Sequence, residues 1–225
     1  MTKTMNFTDS LPIFDLDGFE PLFDELAGEH KSAAVELQDD YKHTRQPIRS
    51  MKDMRKIANA AKHLDGLPAA GETWHLISKG NNSQWDFIPA VLELAAPATI
   101  DFLGIATLGF SKSNLEELLS LLDAGTVAQV DFLYSVYFKS VEKSACERLQ
   151  YELTCRGHRV ACCRTHAKII LMQLSSGENF TIESSANLRS CRNIEQSTFS
   201  NGAALLDFHR GWMNDLFENF KEQKQ

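Results

Sequence analysis

The sequence predicts an α/β fold with a mixed, mostly parallel sheet sandwiched between helices and preceded by a helical N-terminal extension. Two observations predict it. From Glu72 onward, short apolar stretches alternate with helical patterns of about a dozen residues, which implies right-handed crossovers between parallel strands. Near the end, two apolar stretches are separated only by the turn sequence SSGEN (175–179), so the last two strands should be antiparallel neighbours.

The bulk composition is that of an ordinary globular protein. The 225 residues are 43% hydrophobic and 24% charged, with a formal net charge of −7, which suits one large domain or one domain with an extension. This charge argues against nucleic-acid binding over the whole surface but allows a local basic cleft. We find no apolar run of about 18 residues and no signal-peptide core, so we predict a cytoplasmic protein without a membrane partner.

The first 71 residues differ from the rest in charge and pattern. Residues 1–40 are acidic, whereas the segment 41–63 carries seven Lys and Arg against one Asp, with apolar residues at the spacing of an amphipathic helix. The sequence LDGLPAAGE (64–72) is typical of a linker. We therefore predict an acidic arm, a basic helical extension and a linker over 1–71, and an α/β domain over 72–225. The basic helix is open to two readings: a solvated face, or a surface for a phosphate backbone.

The pattern within 72–225 predicts five strands and four helices. The helix that starts near Ser113 has this residue as its N-cap, Glu116 completes a capping box, and a later helix ends at Gly157. The predicted strands are TWHLISKG (73–80), TIDFLGIATLGF (99–110), VAQVDFLYSVYF (127–138), HRVACCRTHAKIILMQL (158–174) and FTIESSANL (180–188). The predicted helices are WDFIPAVLELAA (85–96), SNLEELLSLLDAG (113–125), SVEKSACERLQYELTCRG (140–157) and NGAALLDFHRGWMNDLFENF (201–220).

Polar side chains converge at one end of the last two predicted strands. In RTHAKIILM (164–172), strand alternation places His166 and Lys168 on one face, and in ESSAN it does the same for Ser185 and Asn187. Hairpin pairing brings the two pairs together. An ammonium with amide and hydroxyl donors suits phosphate oxygens, and an imidazole can attack phosphorus when a carboxylate such as Glu195 holds its tautomer. No metal or other cofactor is needed for this chemistry.

The segments HAK (166–168), SSAN (184–187) and NIE (193–195) resemble the signature of the phospholipase D-like superfamily: His-x-Lys, four residues, Asp, then Gly/Ser-Ser-x-Asn, then Asn-x-Glu. By the order of strands and helices the resemblance covers roughly 72–220, and the general look is similar to single-motif, bacterial prophage-type nucleases. Two positions depart from the signature. Gln173 stands where the family has Asp, and Ser184 where it usually has Gly.

The resemblance implies a role for each matching residue. His166 is implied as the nucleophile that forms a phosphohistidine, Lys168 and Asn187 as phosphate ligands, and Glu195 as the residue that orients the imidazole. Ser185 is implied as a hydroxyl that helps to place them, and we add Ser184 and Arg164 as neighbouring substrate contacts. The family's site contains two motifs. Because this chain holds one, the resemblance implies a homodimer with a site shared on the two-fold axis.

The prediction is therefore a metal-independent phosphodiesterase, specifically a nuclease acting on DNA through a phosphohistidine. The alternative is a catalytically inactive DNA-binding or assembly protein with the same fold, and phospholipid hydrolysis is a third possibility. A zinc site is a weaker rival, because no Cys-x-x-Cys occurs and Cys162 and Cys163 are adjacent on a predicted strand. Its candidate ligands are Cys155, His158, Cys162, Cys163, His166 and Cys191. The sequence FDLDGF (14–19) imitates a phosphatase motif but lacks the buried strand that such a motif needs.

Overall fold

The computed structural model describes residues 40–44, 52–54, 64–78, 83–189 and 193–222. The chain separates into two compact units, Met1–Glu36 and Leu37–Gln225, and every described residue lies in the second unit. The nine strands are β1 (Asp40–Thr44), β2 (Lys52–Met54), β3 (Thr73–Ser78), β4 (Ile100–Thr107), β5 (Val127–Ser135), β6 (Arg159–Cys163), β7 (Ile169–Leu174), β8 (Asn179–Ser184) and β9 (Glu195–Asn201). The helices are α1 (Phe87–Leu94), α2 (Lys112–Asp123), α3 (Val136–Val141), α4 (Lys143–Cys155) and α5 (Ala203–Glu222), with a 3₁₀ turn at Gln84–Asp86.

All nine described strands belong to one mixed sheet with the order β2-β1-β3-β9-β8-β7-β4-β5-β6. The pairings β4–β5 and β5–β6 are parallel, and the other six are antiparallel. In terms of chain direction, β1, β7 and β9 are antiparallel to the other six described strands. The predicted mixed α/β class is confirmed. The expectation of a mostly parallel sheet was wrong, because parallel crossovers connect β4, β5 and β6 alone among the described strands and the other neighbours pair antiparallel.

Helices cover both faces of the sheet, which gives three layers. The side chains of β7 show the division, because Ile170 and Met172 join the core under α1, α2 and α4, whereas Ile169 and Leu171 join the core under α5. Each of these four side chains is at most 9% exposed. Burial on both faces explains why β7 reads as a continuous aliphatic run. None of the helices in the described ranges is long and apolar enough to cross a membrane.

Helix α2 begins two residues earlier than predicted. Its N-cap is Ser111 rather than Ser113: the Ser111 hydroxyl accepts the Asn114 amide at 3.2 Å, and the Asn114 side-chain oxygen accepts the Ser111 amide at 2.9 Å. This reciprocal pair is a capping box closed by Asn114 in place of Glu116. The predicted end of α4 is confirmed, since Gly157 follows the helix with a φ of 80° that glycine tolerates best.

The basic extension is not helical where the structure describes it. Asp40–Thr44 and Lys52–Met54 form β1 and β2, and β1 pairs with β3 while β2 pairs with β1. The prediction of a helix was wrong for these residues, because pairing with the open edge of β3 satisfies main-chain groups that a local periodicity cannot take into account. The sheet therefore extends to the N-terminal side of Glu72. The acidic arm 1–39 and the remainder of 41–63 lie outside the described residues.

The long strand predicted over 158–174 is also wrong as a single element. It consists of two strands that are not neighbours: β6 pairs with β5 at the outer edge, and β7 lies between β4 and β8. The sequence stays β-friendly across the break, so local composition cannot reveal that the chain changes its place in the sheet. Strand β9, by contrast, was not predicted, because its buried positions include Ser197 as well as Phe199 and its apolar alternation is weak.

Candidate functional site

Several strands end or begin along one edge of the sheet, and the residues there, most of which are polar, form what we call the polar row. Strands β3, β8, β4, β5 and β6 end there, and β9 and β7 begin there, as the register of their pairings shows. The residues that stand at these strand ends are Ser78, Glu195, Ser184, Ile169, Thr107, Ser135 and Cys163. Ligand sites of α/β sheets form outside the carboxyl ends of strands, where successive connections leave in different directions.

The connection from β6 to β7 places His166 along this edge. It must pass β5 and β4, a distance of three strand spacings or about 14 Å. The six Cα–Cα steps from Cys163 to Ile169 reach about 20 Å when fully extended, so the chain must follow a fairly direct path between the two strands. His166, at its midpoint, therefore lies near the ends of β4 and β5 rather than within a strand. Its side chain is exposed, and its imidazole forms no hydrogen bond to any residue that the structure describes.

Lys168 continues the pairing of β7 by one residue. Its carbonyl accepts the Ser184 amide at 3.0 Å, which ties the start of β7 to the end of β8. Its ammonium donates to the His166 carbonyl at 3.2 Å. The main chains of the His-x-Lys segment and the Ser-x-Asn segment are thus adjacent, as predicted. His166 does not lie in a strand, so the strand alternation assumed for its side chain does not apply.

The two serines have different surroundings. Ser184 is held inside the turn, where its hydroxyl lies 2.7 Å from that of Ser197 and accepts the Ala186 amide at 2.9 Å. Ser185 is exposed, donates its hydroxyl to the Glu195 carboxylate and accepts the Gln196 amide at 2.9 Å. Glu195 thereby joins β9 to the turn after β8.

The contact predicted between Glu195 and His166 is not present, because the imidazole has no hydrogen bond within the described residues. Glu195 instead accepts the Ser185 hydroxyl. Its role in orienting the imidazole stays a prediction.

Asn187 follows β8 by three residues and is half-buried. Its carbonyl accepts the main-chain amide of Gln84 at 3.1 Å, and its side-chain Oδ1 is buried without a hydrogen-bond partner among the residues that the structure describes. Because Oδ1 faces inward, the Nδ2 donor is the end of the amide that remains for a ligand.

Gln84 is a part of this region that sequence reasoning missed. Its side chain is fully buried, and its Nε2 donates to the Lys168 carbonyl at 2.8 Å. A glutamine that lies 84 positions before Lys168 carries no local signal of such a contact. Its place in the site depends entirely on how the chain returns after β3.

The remaining predicted residues are more peripheral. Arg164 lies in the connection and is exposed, as is Asn193 before β9. Gln173 lies in register with Phe102 and Asn179, five residues along β7 from Lys168 and hence about 17 Å away. Of the two positions that depart from the phospholipase D-like signature, Gln173 is therefore distant from the polar row, whereas Ser184 belongs to it.

Cys146, Cys162 and Cys163 have the character of small, partly or fully buried apolar residues. Cys146, Cys155, Cys162 and Cys163 are free thiols, and Cys191 lies outside the described residues. Burial raises the pKa of Cys146 to about 11 and also raises the pKa of Cys162 and Cys163, which disfavours the thiolate that zinc requires. Among the residues that the structure describes, no group of three or more His, Cys, Asp or Glu could hold a metal ion.

Comparison with solved structures finds similarity to a polyphosphate kinase, among other chains. A polyphosphate kinase from Porphyromonas gingivalis superposes with a TM-score of 0.48 and 14% identity, over 69% of this chain and 28% of that chain. This chain thus spans less than a third of the kinase, and the likeness says nothing about activity. No protein-family model matches the sequence, and no curated protein matches it.

Proposed function

We propose that the protein is a metal-independent phosphodiesterase that acts on DNA with His166 as the nucleophile. The observation that carries the proposal is the row at the sheet edge: the exposed imidazole of His166, which forms no hydrogen bond within the part of the chain that the structure describes, lies in a short connection that leads directly into Lys168 and the Ser184–Asn187 turn. The resemblance of these segments to the phospholipase D-like signature supports the same chemistry.

The reaction would take place in two steps. An imidazole nitrogen of His166 forms a bond to phosphorus while the bond from phosphorus to the ester oxygen breaks, and the departing alkoxide takes a proton from a general acid. Water then displaces the imidazole and releases the phosphomonoester. The Lys168 ammonium and the Asn187 Nδ2 would bind the non-bridging oxygens, whose charge grows in each transition state.

A second copy of the chain would supply the general acid. A chain with one His-x-Lys segment can provide one imidazole as nucleophile, and an isologous two-fold contact at the sheet edge would bring the equivalent imidazole to the leaving oxygen. We therefore include a homodimer in the proposal. Measurement of the mass in solution tests this part, and a strictly monomeric but active protein would contradict it.

The preference for DNA depends on the basic segment 41–63. Met54, the last residue of β2, is in register with Asp40, and Tyr41 is in register with Ile77, so β2 ends at the same edge of the sheet as Glu195. The sequence continues from there with Arg55 and Lys56. Cations of this basic segment would extend the contact along a polyanionic backbone.

The test is cleavage of plasmid and single-stranded DNA in the presence of EDTA. We expect the wild type to cleave and His166→Ala to lose at least 100-fold in rate, because an imidazole nucleophile has no substitute. His75→Gln, which changes an exposed histidine on β3, is the matched control and should retain activity. Absence of cleavage by the wild type, or equal cleavage by His166→Ala, would refute the proposal. Salt-dependent DNA binding without turnover would instead favour the inactive DNA-binding alternative.

A further inference from the structure

We infer that Gln84 is a positioning residue for this site: its buried amide fixes the main chain of Lys168 and Asn187 in the arrangement that phosphate binding needs. The inference deepens the proposed function and rests on it. The amide touches neither the reacting atoms nor the solvent, so any effect on the reaction passes through the two phosphate ligands.

Three hydrogen bonds from this one residue join three separate segments. Nε2 donates to the Lys168 carbonyl at 2.8 Å at the start of β7, and to the Ile182 carbonyl at 3.4 Å within β8. The main-chain amide of Gln84 donates to the Asn187 carbonyl at 3.1 Å in the turn after β8. No described strand pairing links Lys168 directly to Asn187, whereas Gln84 contacts both.

The residues on either side of Gln84 hold it in place. The Asp86 carboxylate accepts the Ser83 amide at 2.6 Å and the Ser83 hydroxyl at 3.0 Å, which closes the short 3₁₀ turn. Trp85 is 2% exposed and donates its Nε1 to the Glu117 carboxylate on α2 at 2.5 Å. The amide of Gln84 is thus presented from a turn that is anchored independently of β7 and β8.

An unpaired atom distinguishes this residue from an ordinary core contact. Within the described residues, the Oε1 of Gln84 is buried without a hydrogen-bond partner, and so is the Oδ1 of Asn187. A buried acceptor without a donor is costly, so this cost offsets part of the stability that the Nε2 hydrogen bonds contribute. Stability alone therefore gains little from glutamine here, whereas the donor that reaches Lys168 does require it.

Two variants test the inference against the purified wild-type chain. Gln84→Met keeps the length of the side chain and removes both the donor and the unpaired acceptor, so we expect a folded protein with a small decrease in the unfolding midpoint. Cleavage should show a kcat reduced about 10- to 100-fold with a smaller change in KM, because displaced ligands weaken the transition state most. Gln129→Met, at a half-buried glutamine on β5, is the matched control and should cleave like the wild type.

The pH dependence of kcat in Gln84→Glu distinguishes a positioning role from a purely structural one. An ionised carboxylate would face the carbonyls of Lys168 and Ile182 and repel them, whereas a protonated carboxyl can donate to one of them. We expect the kcat of this variant, relative to the wild type at the same pH, to rise as the pH falls from about 8 to 5, where a buried carboxyl is protonated.

The outcomes separate the two proposals. A folded Gln84→Met with wild-type kcat, or a Gln84→Glu whose relative kcat does not change with pH, would overturn the positioning role and leave the proposed function intact. If Gln84→Met does not fold, the pH dependence of Gln84→Glu decides the matter. A wild type that neither cleaves DNA nor binds inorganic phosphate would overturn both.

Discussion

The polar groups beneath helix α5 are buried and paired with other side chains, whereas the imidazole of His166 at the sheet edge is exposed. Beneath α5, the Asp131 carboxylate is 1% exposed and is held by the Arg159 guanidinium, whose Nε lies 2.7 Å away, and the same guanidinium lies 2.6 Å from the side-chain oxygen of Asn214. At the edge, the imidazole of His166 is exposed and has no hydrogen bond within the described residues.

A second set beneath α5 follows the same rule. The buried His209 accepts the Trp212 Nε1 at 2.9 Å through its Nδ1, so its Nε2 carries the proton that it shares with Glu183 at 3.2 Å. A polar group that leaves water must find a partner or lose several kcal/mol, whereas an exposed imidazole loses nothing by being unpaired. The difference indicates that the polar groups under α5 attach the helix to the sheet, whereas the imidazole of His166 takes no part in such an attachment within the described residues.

The largest effect that this comparison predicts is on stability. Asp131→Ala leaves the Arg159 guanidinium without its carboxylate beneath α5, so we expect a loss of about 3 kcal/mol in the free energy of unfolding. Urea denaturation measures it. Asp123→Ala removes the carboxylate partner of Arg156 on an exposed surface and is the control, which we expect to unfold like the wild type. Equal losses of unfolding free energy in both variants would show that burial beneath α5 does not make the Asp131–Arg159 pair more important than an exposed pair.

A smaller effect is expected for Trp212→Phe. The ring is kept while the hydrogen bond to His209 is lost, so we expect a loss of about 1 kcal/mol. The same change in a His209→Leu background should cost less, because the acceptor is already absent. A double-mutant cycle by urea denaturation measures the difference, and identical costs in the two backgrounds would show that the hydrogen bond contributes nothing.

The smallest effect on stability is expected at the proposed nucleophile. His166→Ala should change the free energy of unfolding by no more than about 0.5 kcal/mol, as is usual for an exposed residue without a structural contact. Thermal unfolding followed by circular dichroism checks this. A loss well above that value would mean that the imidazole packs against the protein, and the contrast between the edge and the α5 region would then no longer hold.

The local sequence pattern correctly predicted those elements whose burial or turn conformation depends on residues close by in the chain. The aliphatic run of β7, the turn that joins it to β8, and the glycine that ends α4 were all readable, because burial and turn conformation depend on short spacings. The wrong predictions share another cause. The sequence between Cys163 and Ile169 looks like continuous strand, yet the chain leaves one edge of the sheet there and re-enters next to β4, a step set by long-range pairing.

The sequence by itself determined the chemistry that is available: a histidine, a lysine, a serine, an asparagine and a glutamate in three short segments, within a chain that alternates strands and helices. The tertiary structure decided which of these groups meet. Main-chain pairing of Lys168 with Ser184 and the hydroxyl of Ser185 on Glu195 bring the segments together, while Gln84 adds a buried amide from a distant turn. The physical reason is that hydrogen bonds between segments far apart in the chain depend on strand order, which no local periodicity encodes.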